Sequence, residues 1–234
     1  MSRNDIEQWQ RNWRQGDTDF HRLTVNRHLQ TVWPTLAVPP SAKIFVPLCG
    51  KSLDMLWLAR QGHHVIGIEL SPVAIRAFFR ESRVQPERRQ AGKFTSWQRD
   101  RIQILCGDFF DLHAADLENV AMVYDHASLT ALPEELRADY VRHLRAILPD
   151  AAMLLVTTED LESHERGGFP YAVTAEVESL YGEHFAIDLR HAESLNEDDP
   201  AGEPGAVFRV EEKTYLLTPR ERMATLSISK PLCP

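Results

Sequence analysis

From Lys43 onward the chain alternates short apolar runs with stretches whose apolar residues recur at helical spacing. The runs are Lys43-Ile44-Phe45-Val46, His64-Val65-Ile66-Gly67-Ile68, Ile102-Gln103-Ile104-Leu105, Val120-Ala121-Met122-Val123-Tyr124 and Ala151-Ala152-Met153-Leu154-Leu155-Val156. They are short, apolar on both faces and bounded by Gly, Asp or Glu, as strands covered by helices on either side should be. Between them, Ser52 can cap a helix through Leu53, Leu56, Trp57 and Arg60 that Gly62 ends. Ser71-Pro72 opens another through Ile75, Phe78 and Phe79. Pro133 starts a third, with Leu136, Tyr140, Leu144, Ile147 and Leu148 on one face and Pro149 beyond its end. A fourth runs from Val173 to about Tyr181 and precedes two late strands, Phe185–Leu189 and Lys213–Leu217. This alternation predicts an α/β fold, a doubly wound and mostly parallel sheet closed by an antiparallel edge hairpin.

Ahead of that core, residues 1–33 place Ile6, Trp9, Trp13, Leu23, Leu29, Val32 and Trp33 at helical spacing around a break at Gly16. The Pro-rich stretch Trp33–Pro40 separates this arm (1–40) from a core (41–234), within one domain spanning 1–234. Two stretches, Glu165–Pro170 and Asn196–Gly205, carry too much Gly, Pro and charge for regular structure.

Composition narrows the class. With 26 Lys plus Arg against 34 Asp plus Glu, a formal charge of −8, the chain lacks the cationic excess on which non-specific nucleic-acid binding depends. No apolar stretch is long enough for a membrane helix, and the first residues lack the apolar segment of a signal peptide. Three cysteines without a CxxC pair provide neither a disulfide framework nor a common zinc set, and adjacent strand residues His63 and His64 point to opposite faces. No metal site is predicted. The expectation is a cytoplasmic monomer that acts on a small molecule.

In a doubly wound sheet, ligands sit beyond the carboxyl ends of the strands. The first such turn, Pro47-Leu48-Cys49-Gly50-Lys51-Ser52, ends like a P-loop but has Phe45 where the first glycine is required. With Gly50 as its single glycine it also fails the dinucleotide fingerprint, so the turn is unsuited to a pyrophosphate. Glu69 ends the second strand nineteen residues after Gly50, the separation at which an acidic side chain meets ribose hydroxyls; it could equally serve as a favourable charge near a helix start. Asp108 ends the third strand, where it could accept from an adenine amino group beside Phe109, or cap the following turn. Together these features favour an adenosine ligand without phosphates, of which S-adenosylmethionine is the common one.

The block Pro47–Leu58, followed by Gly67-Ile68-Glu69-Leu70-Ser71, resembles the bacterial form of the thiopurine S-methyltransferase family. The similarity extends to Trp9-Gln10-Arg11-Asn12-Trp13 with Phe20-His21, to Cys106–Leu112, to Ala131-Leu132-Pro133 and to Tyr215-Leu216-Leu217. It implies the class I methyltransferase sheet of seven strands, S-adenosylmethionine as cofactor and a small-molecule thiol as acceptor. It further implies cofactor contacts from Trp9, Trp13, Leu48, Gly50, Glu69, Leu70, Asp108, Phe109 and His126, substrate contacts from Phe20, His21 and Phe169, and an arm that folds over the site. Selenium, tellurium or halide acceptors, or a non-catalytic S-adenosylmethionine-binding module, are the alternatives.

The chain also departs from that family. Asp125-His126-Ala127-Ser128-Leu129 places a histidine where the family has an arginine beside cofactor and substrate. A later substrate-side arginine, due near residues 199–203, has no counterpart before Arg209, and acidic Glu197, Asp198, Asp199 and Glu203 occupy that stretch. A histidine with a pKa near ~6.5 is mostly neutral at pH 7, so His126 is expected to be the catalytic residue, acting on the thiol as a general base or polar orienter. The acidic surroundings suit neutral or cationic acceptors.

Overall fold

The computed structural model describes residues 3–16, 18, 21–160, 171, 173, 176–198 and 207–220. Its sheet contains β1 (Lys43–Val46), β2 (His64–Glu69), β3 (Glu87–Ala91), β4 (Phe94–Arg99), β5 (Ile102–Cys106), β6 (Val120–His126), β7 (Ala152–Asp160), β8 (Phe185–Asp198) and β9 (Val207–Pro219). Their spatial order is β3-β4-β5-β2-β1-β6-β7-β9-β8. β5, β2, β1, β6 and β7 are parallel, and every pairing that involves β3, β4, β8 or β9 is antiparallel. The helices are α1 (Arg3–Gln15), α2 (Arg27–Val32), α3 (Asp54–Arg60), α4 (Pro72–Glu81), α5 (Ser128–Ala131), α6 (Glu134–Ile147) and α7 (Val177–Tyr181).

The five parallel strands coincide with the five apolar runs. Helix starts follow the local chemistry: Ser71 Oγ accepts from the Ala74 amide at 3.5 Å with Pro72 in the first turn, and Ser52 Oγ accepts from the Asp54 amide at 3.2 Å. Two apolar clusters fill the faces of the sheet. One joins Leu29, Val32 and Trp33 to Ile44, Met55, Leu58, Phe78 and Phe79; the other joins Phe109, Tyr140, Leu144 and Tyr181 to Phe45 and Leu155. The second half of the arm is therefore built into the core.

The sheet departs from the seven-strand expectation through an extra hairpin, β3–β4, lying between α4 and β5. Without β3 and β4 the remaining strands run third, second, first, fourth, fifth, seventh, sixth. Arg88 lies on this edge strand with its guanidinium 4.0 Å above the Trp97 ring. The late hairpin is longer than Phe185–Leu189 and Lys213–Leu217. β8 continues through Asp198, so Asn196–Asp198 are paired with Val207–Arg209 rather than irregular. Residues 199–206 and 161–170 lie outside the described residues.

Candidate active site

The turn after β1 is held down on β2. The Cys49 amide donates to the Ile68 carbonyl at 3.0 Å, and a Cβ at Gly67 would come within 2.7 Å of Cys49 Sγ. Burial and nearby Glu69 push the Cys49 thiol well above its ordinary range, which makes it a packing residue rather than a nucleophile. Leu48 (φ 44°) and Gly50 (φ 52°) both take the left-handed backbone conformation, which costs a non-glycine residue about 1–2 kcal/mol.

This strained turn delivers the Gly50 amide to Glu69. One carboxylate oxygen accepts from Gly50 at 2.9 Å and the other from Ser71 at 2.6 Å. Glu69 is 7% exposed. Its pKa is pushed up to about 7 by burial, against the pull of the Ser71, Gly50 and Leu70 amides. Trp13 of α1 lies over the turn, since a Cβ at Gly50 would stand 3.3 Å from its ring. Trp9, one turn earlier, donates its indole N–H to the Ala131 carbonyl at 3.3 Å, so α1 reaches from the β1 turn to the end of α5. His21 is half-buried, and Lys51, Glu81 and Asp54 lie close enough to act on it, while burial lowers its pKa. Phe20 and Phe169 lie outside the described residues.

At the end of β5, Asp108 caps the next turn, its Oδ1 accepting from the Phe110 amide at 3.0 Å. Phe109 is 1% exposed, with its ring 4.8 Å from Tyr140 and 5.2 Å from His143, so that ring packs into the core beneath the turn. Phe110, half-buried, is the neighbouring aromatic with free surface.

The end of β6 holds the most elaborate polar arrangement. Asp54, 2% exposed at the start of α3, takes the His126 Nδ1 at 3.0 Å and the Tyr124 hydroxyl at 2.8 Å on Oδ2, and the Asn26 amide at 2.8 Å on Oδ1. These donors, His126 foremost, hold its carboxyl below the ordinary range despite burial. His126 responds in the opposite sense. Burial works to lower its pKa, but the hydrogen bond and charge of Asp54, aided by Glu212 and opposed by Arg22, raise it overall. Asn26 is fixed by capping α2, with Oδ1 accepting from the His28 and Leu29 amides at 2.8 and 3.1 Å. Its Nδ2 therefore faces His126 Nε2 at 3.4 Å and Glu212 Oε1 at 3.4 Å. With Nδ1–H donated to Asp54, Nε2 presents a lone pair. This is an imidazole with a carboxylate behind it and an acceptor in front. Adjoining Asp125 is structural, accepting from the Tyr140 hydroxyl at 2.6 Å and the Ser128 amide at 3.2 Å.

Sequence reasoning missed Asn26, Asp54 and Glu212. Asp54 alone left a trace, an acid within an otherwise apolar helical run; Asn26 and Glu212 left none.

The sequence profile described as Thiopurine S-methyltransferase matches residues 4–220. The chain belongs to this family. It is 52% identical to the thiopurine S-methyltransferase of Stutzerimonas stutzeri, over 93% of this chain and 92% of that protein. It is 45% identical to the thiopurine S-methyltransferase of Nitrosospira multiformis, over 92% and 98% respectively. Among solved structures, a SAM-dependent methyltransferase from Anabaena variabilis superposes with a TM-score of 0.60 at 15% identity, covering 92% of this chain and 95% of that one. The 1,6-didemethyltoxoflavin-N1-methyltransferase of Burkholderia thailandensis, solved with S-adenosylhomocysteine, gives 0.59 at 15% identity, covering 91% and 87%. The fold is that of class I methyltransferases. This thiopurine S-methyltransferase family member is an S-adenosylmethionine-dependent S-methyltransferase, and S-adenosylmethionine is its cofactor.

The β1 turn fits that cofactor. A buried carboxylate that accepts from the Gly50 and Ser71 amides, with the Leu70 amide also turned to it, keeps lone-pair capacity for ribose hydroxyls. Gly50 leaves open a space beneath the Trp13 ring that a Cβ would fill.

Proposed function

We propose that this enzyme methylates the sulfur of a small thiol with a neutral or cationic body, with His126 as the general base. The observation that carries the proposal is the Asp54–His126 pair, with Nδ1 engaged at 3.0 Å and Nε2 left facing the Asn26 side-chain amide at 3.4 Å. When bound, S-adenosylmethionine supplies a methyl group already activated by its sulfonium. What the chain must then supply is orientation, worth roughly 7–11 kcal/mol in such a step, and a deprotonated sulfur.

Glu69, Gly50, Leu48 and Leu70 hold the ribose side and Asp108 the adenine side, with the buried Phe109 ring supporting that turn from beneath rather than touching the ligand, and Trp9 and Trp13 form the cover. His21 is the acceptor-side residue among those described, and the family resemblance adds Phe20 and Phe169 to that role. His126 Nε2 takes the thiol proton, and the imidazolium so formed is held by Asp54, which leaves the acceptor sulfur as a thiolate positioned to receive the methyl group. The chain, residues 1–234, acts as one monomeric unit; of the arm 1–40, α1 is the cover, while Leu29, Val32 and Trp33 belong to the core. A cytoplasmic location suits it, because reducing conditions keep both substrate thiols and the free cysteines Cys49 and Cys106 reduced.

The test compares His126→Gln with the parent enzyme on an aliphatic thiol and on an aromatic thiol already ionised at neutral pH, with a thiopurine as comparator. Loss of a general base costs roughly 10²–10⁴-fold, and this loss is expected on the aliphatic thiol and not on the ionised one. Equal loss on both, or no loss on either, overturns the assignment. Robust turnover of the thiopurine beyond all other thiols overturns the proposed acceptor class.

A further inference from the structure

We propose that His28, His191, Glu193 and Glu212 bind a divalent transition ion of the zinc class, which clamps α2 to the β8–β9 hairpin. Among the described residues, the ligand atoms of His28, His191 and Glu193 lie within 4.8 Å of one another. Glu212 adds a fourth, with Oε1 2.7 Å from His28 Nε2. Two imidazole nitrogens and two carboxylate oxygens form a donor set that zinc accepts in tetrahedral geometry.

The way the elements meet explains the convergence. Glu193 on β8 stands directly across from Glu212 on β9, and His191 shares the face of Glu193 two residues earlier. The register shifts between Leu189 and His191, leaving Arg190 as an extra residue that re-aims the strand just before His191. α2 packs on β8 and brings His28 above the pair, with its ring centroid 4.5 Å from that of His191.

Three features of this cluster call for a cation. Two glutamates directly opposite on antiparallel strands repel each other. His28 is 2% exposed, and its Nε2, although 2.7 Å from Glu212, has no hydrogen-bond partner there because the geometry is out of line. Desolvation lowers the pKa of His28, keeping it in the neutral form that ligates metals. Arg27 neutralises Glu193 at 2.6 Å but is 55% exposed and free to swing away. Neighbouring ligand atoms in a tetrahedral zinc site stand roughly 3.3–3.5 Å apart, from bonds of ~2.0–2.2 Å. The His28–Glu212 pair must open by about 0.6–0.8 Å from 2.7 Å, and the remaining shifts fall to His191 and Glu193, the two ligands with solvent access.

The test uses untagged full-length protein stripped with a chelator and titrated with Co²⁺, followed by the visible absorption of four-coordinate cobalt and displacement by Zn²⁺. One ion per chain is expected. His191→Ala and Glu193→Gln each weaken binding at least about tenfold while S-adenosylmethionine affinity stays unchanged. Arg27→Met, which removes the competing cation, tightens it. Absence of the four-coordinate band, identical titrations for both ligand variants and the parent, weaker binding by Arg27→Met, or a sulfur-to-cobalt charge-transfer band placing the metal on cysteine would each overturn the proposal. Methyl transfer is not the readout, so failure here is distinguishable from failure of the His126 assignment.

Discussion

The proposed placement of Glu69 on the ribose couples cofactor binding to protonation. Its pKa, raised from 4.5 to about 7 by burial, means that the ligand-free protein carries a largely protonated carboxyl at pH 6, about 0.9 proton. Two ribose hydroxyls donating to this group favour the ionised form. Hydrogen bonds to charged groups contribute about 1.5–3 kcal/mol each, and 1.36 kcal/mol moves a pKa by one unit. The pair together therefore return Glu69 to about 5 or below. Binding of S-adenosylmethionine at pH 6 should release about 0.8 proton, and at pH 8.5 almost none. Affinity should fall by up to about tenfold for each pH unit below about 7 until the pKa of the complex is reached.

Titration calorimetry at pH 6 in buffers of different ionisation enthalpy measures the released proton directly. Glu69→Gln, which cannot titrate, should abolish the difference between buffers and bind about 10–100-fold more weakly than the parent at pH 8, from loss of the charged acceptor. At pH 5.5 the two proteins should converge. The ligand-free fold should respond in the opposite sense. A carboxyl whose pKa rises on folding favours the folded state at low pH, so Glu69 removes stability as pH climbs from 4.5 through about 7. Proton release that is identical in the parent and Glu69→Gln, or absent at pH 6 in the parent, would refute the assignment of Glu69 to the ribose.

Two further outcomes follow from the same geometry. Asp54→Asn should cost about 3 kcal/mol in urea unfolding at neutral pH, because it weakens the charged hydrogen bonds to His126, Tyr124 and Asn26. The stabilisation lost is the portion present above the ordinary aspartate value of 3.8 and below the raised folded pKa of His126. The variant should also move the His126-dependent rise of methyl transfer, seen in kcat/KM against pH, to lower pH, because Asp54 is what raises that pKa. Gly67→Ala should destabilise by roughly 1–3 kcal/mol and weaken S-adenosylmethionine binding, since its Cβ meets Cys49 Sγ at 2.7 Å and lifts the turn away from Glu69. A stable variant with unchanged cofactor affinity would show that the turn is not held down in this way.

What could be read from sequence depended on how local the signal was. The five parallel strands were legible because burial on both faces leaves continuous apolar runs. The β3–β4 hairpin was not, because Glu87-Arg88-Arg89-Gln90 forms an exposed edge whose charged residues read as a loop. β8 was cut short for the same reason, with polar residues covering its outer half. Gly50 and Glu69 were legible because both belong to one strand–turn–helix–strand unit and their spacing is fixed by it. The set around His126 was not, because Asn26, Asp54 and Glu212 meet it from three separate elements.

That difference bears on the exchange at position 126. Read alone, a histidine in place of an arginine removes a permanent charge and leaves a mostly neutral ring. Asp54 alters that reading. A carboxylate 3.0 Å from Nδ1 fixes the tautomer, raises the basicity of Nε2 and holds the charge that appears when a proton arrives. An arginine at 126 beside the same carboxylate could offer charge and donors, but it could not accept a proton. With His126 in its proposed role, the exchange replaces a site that can only stabilise a thiolate with one that can also form it, which would suit acceptors less acidic than those an arginine could serve. His126→Arg should accordingly narrow the enzyme to thiols already ionised at the assay pH, and retention of aliphatic-thiol turnover by that variant would show that the imidazole is not the base.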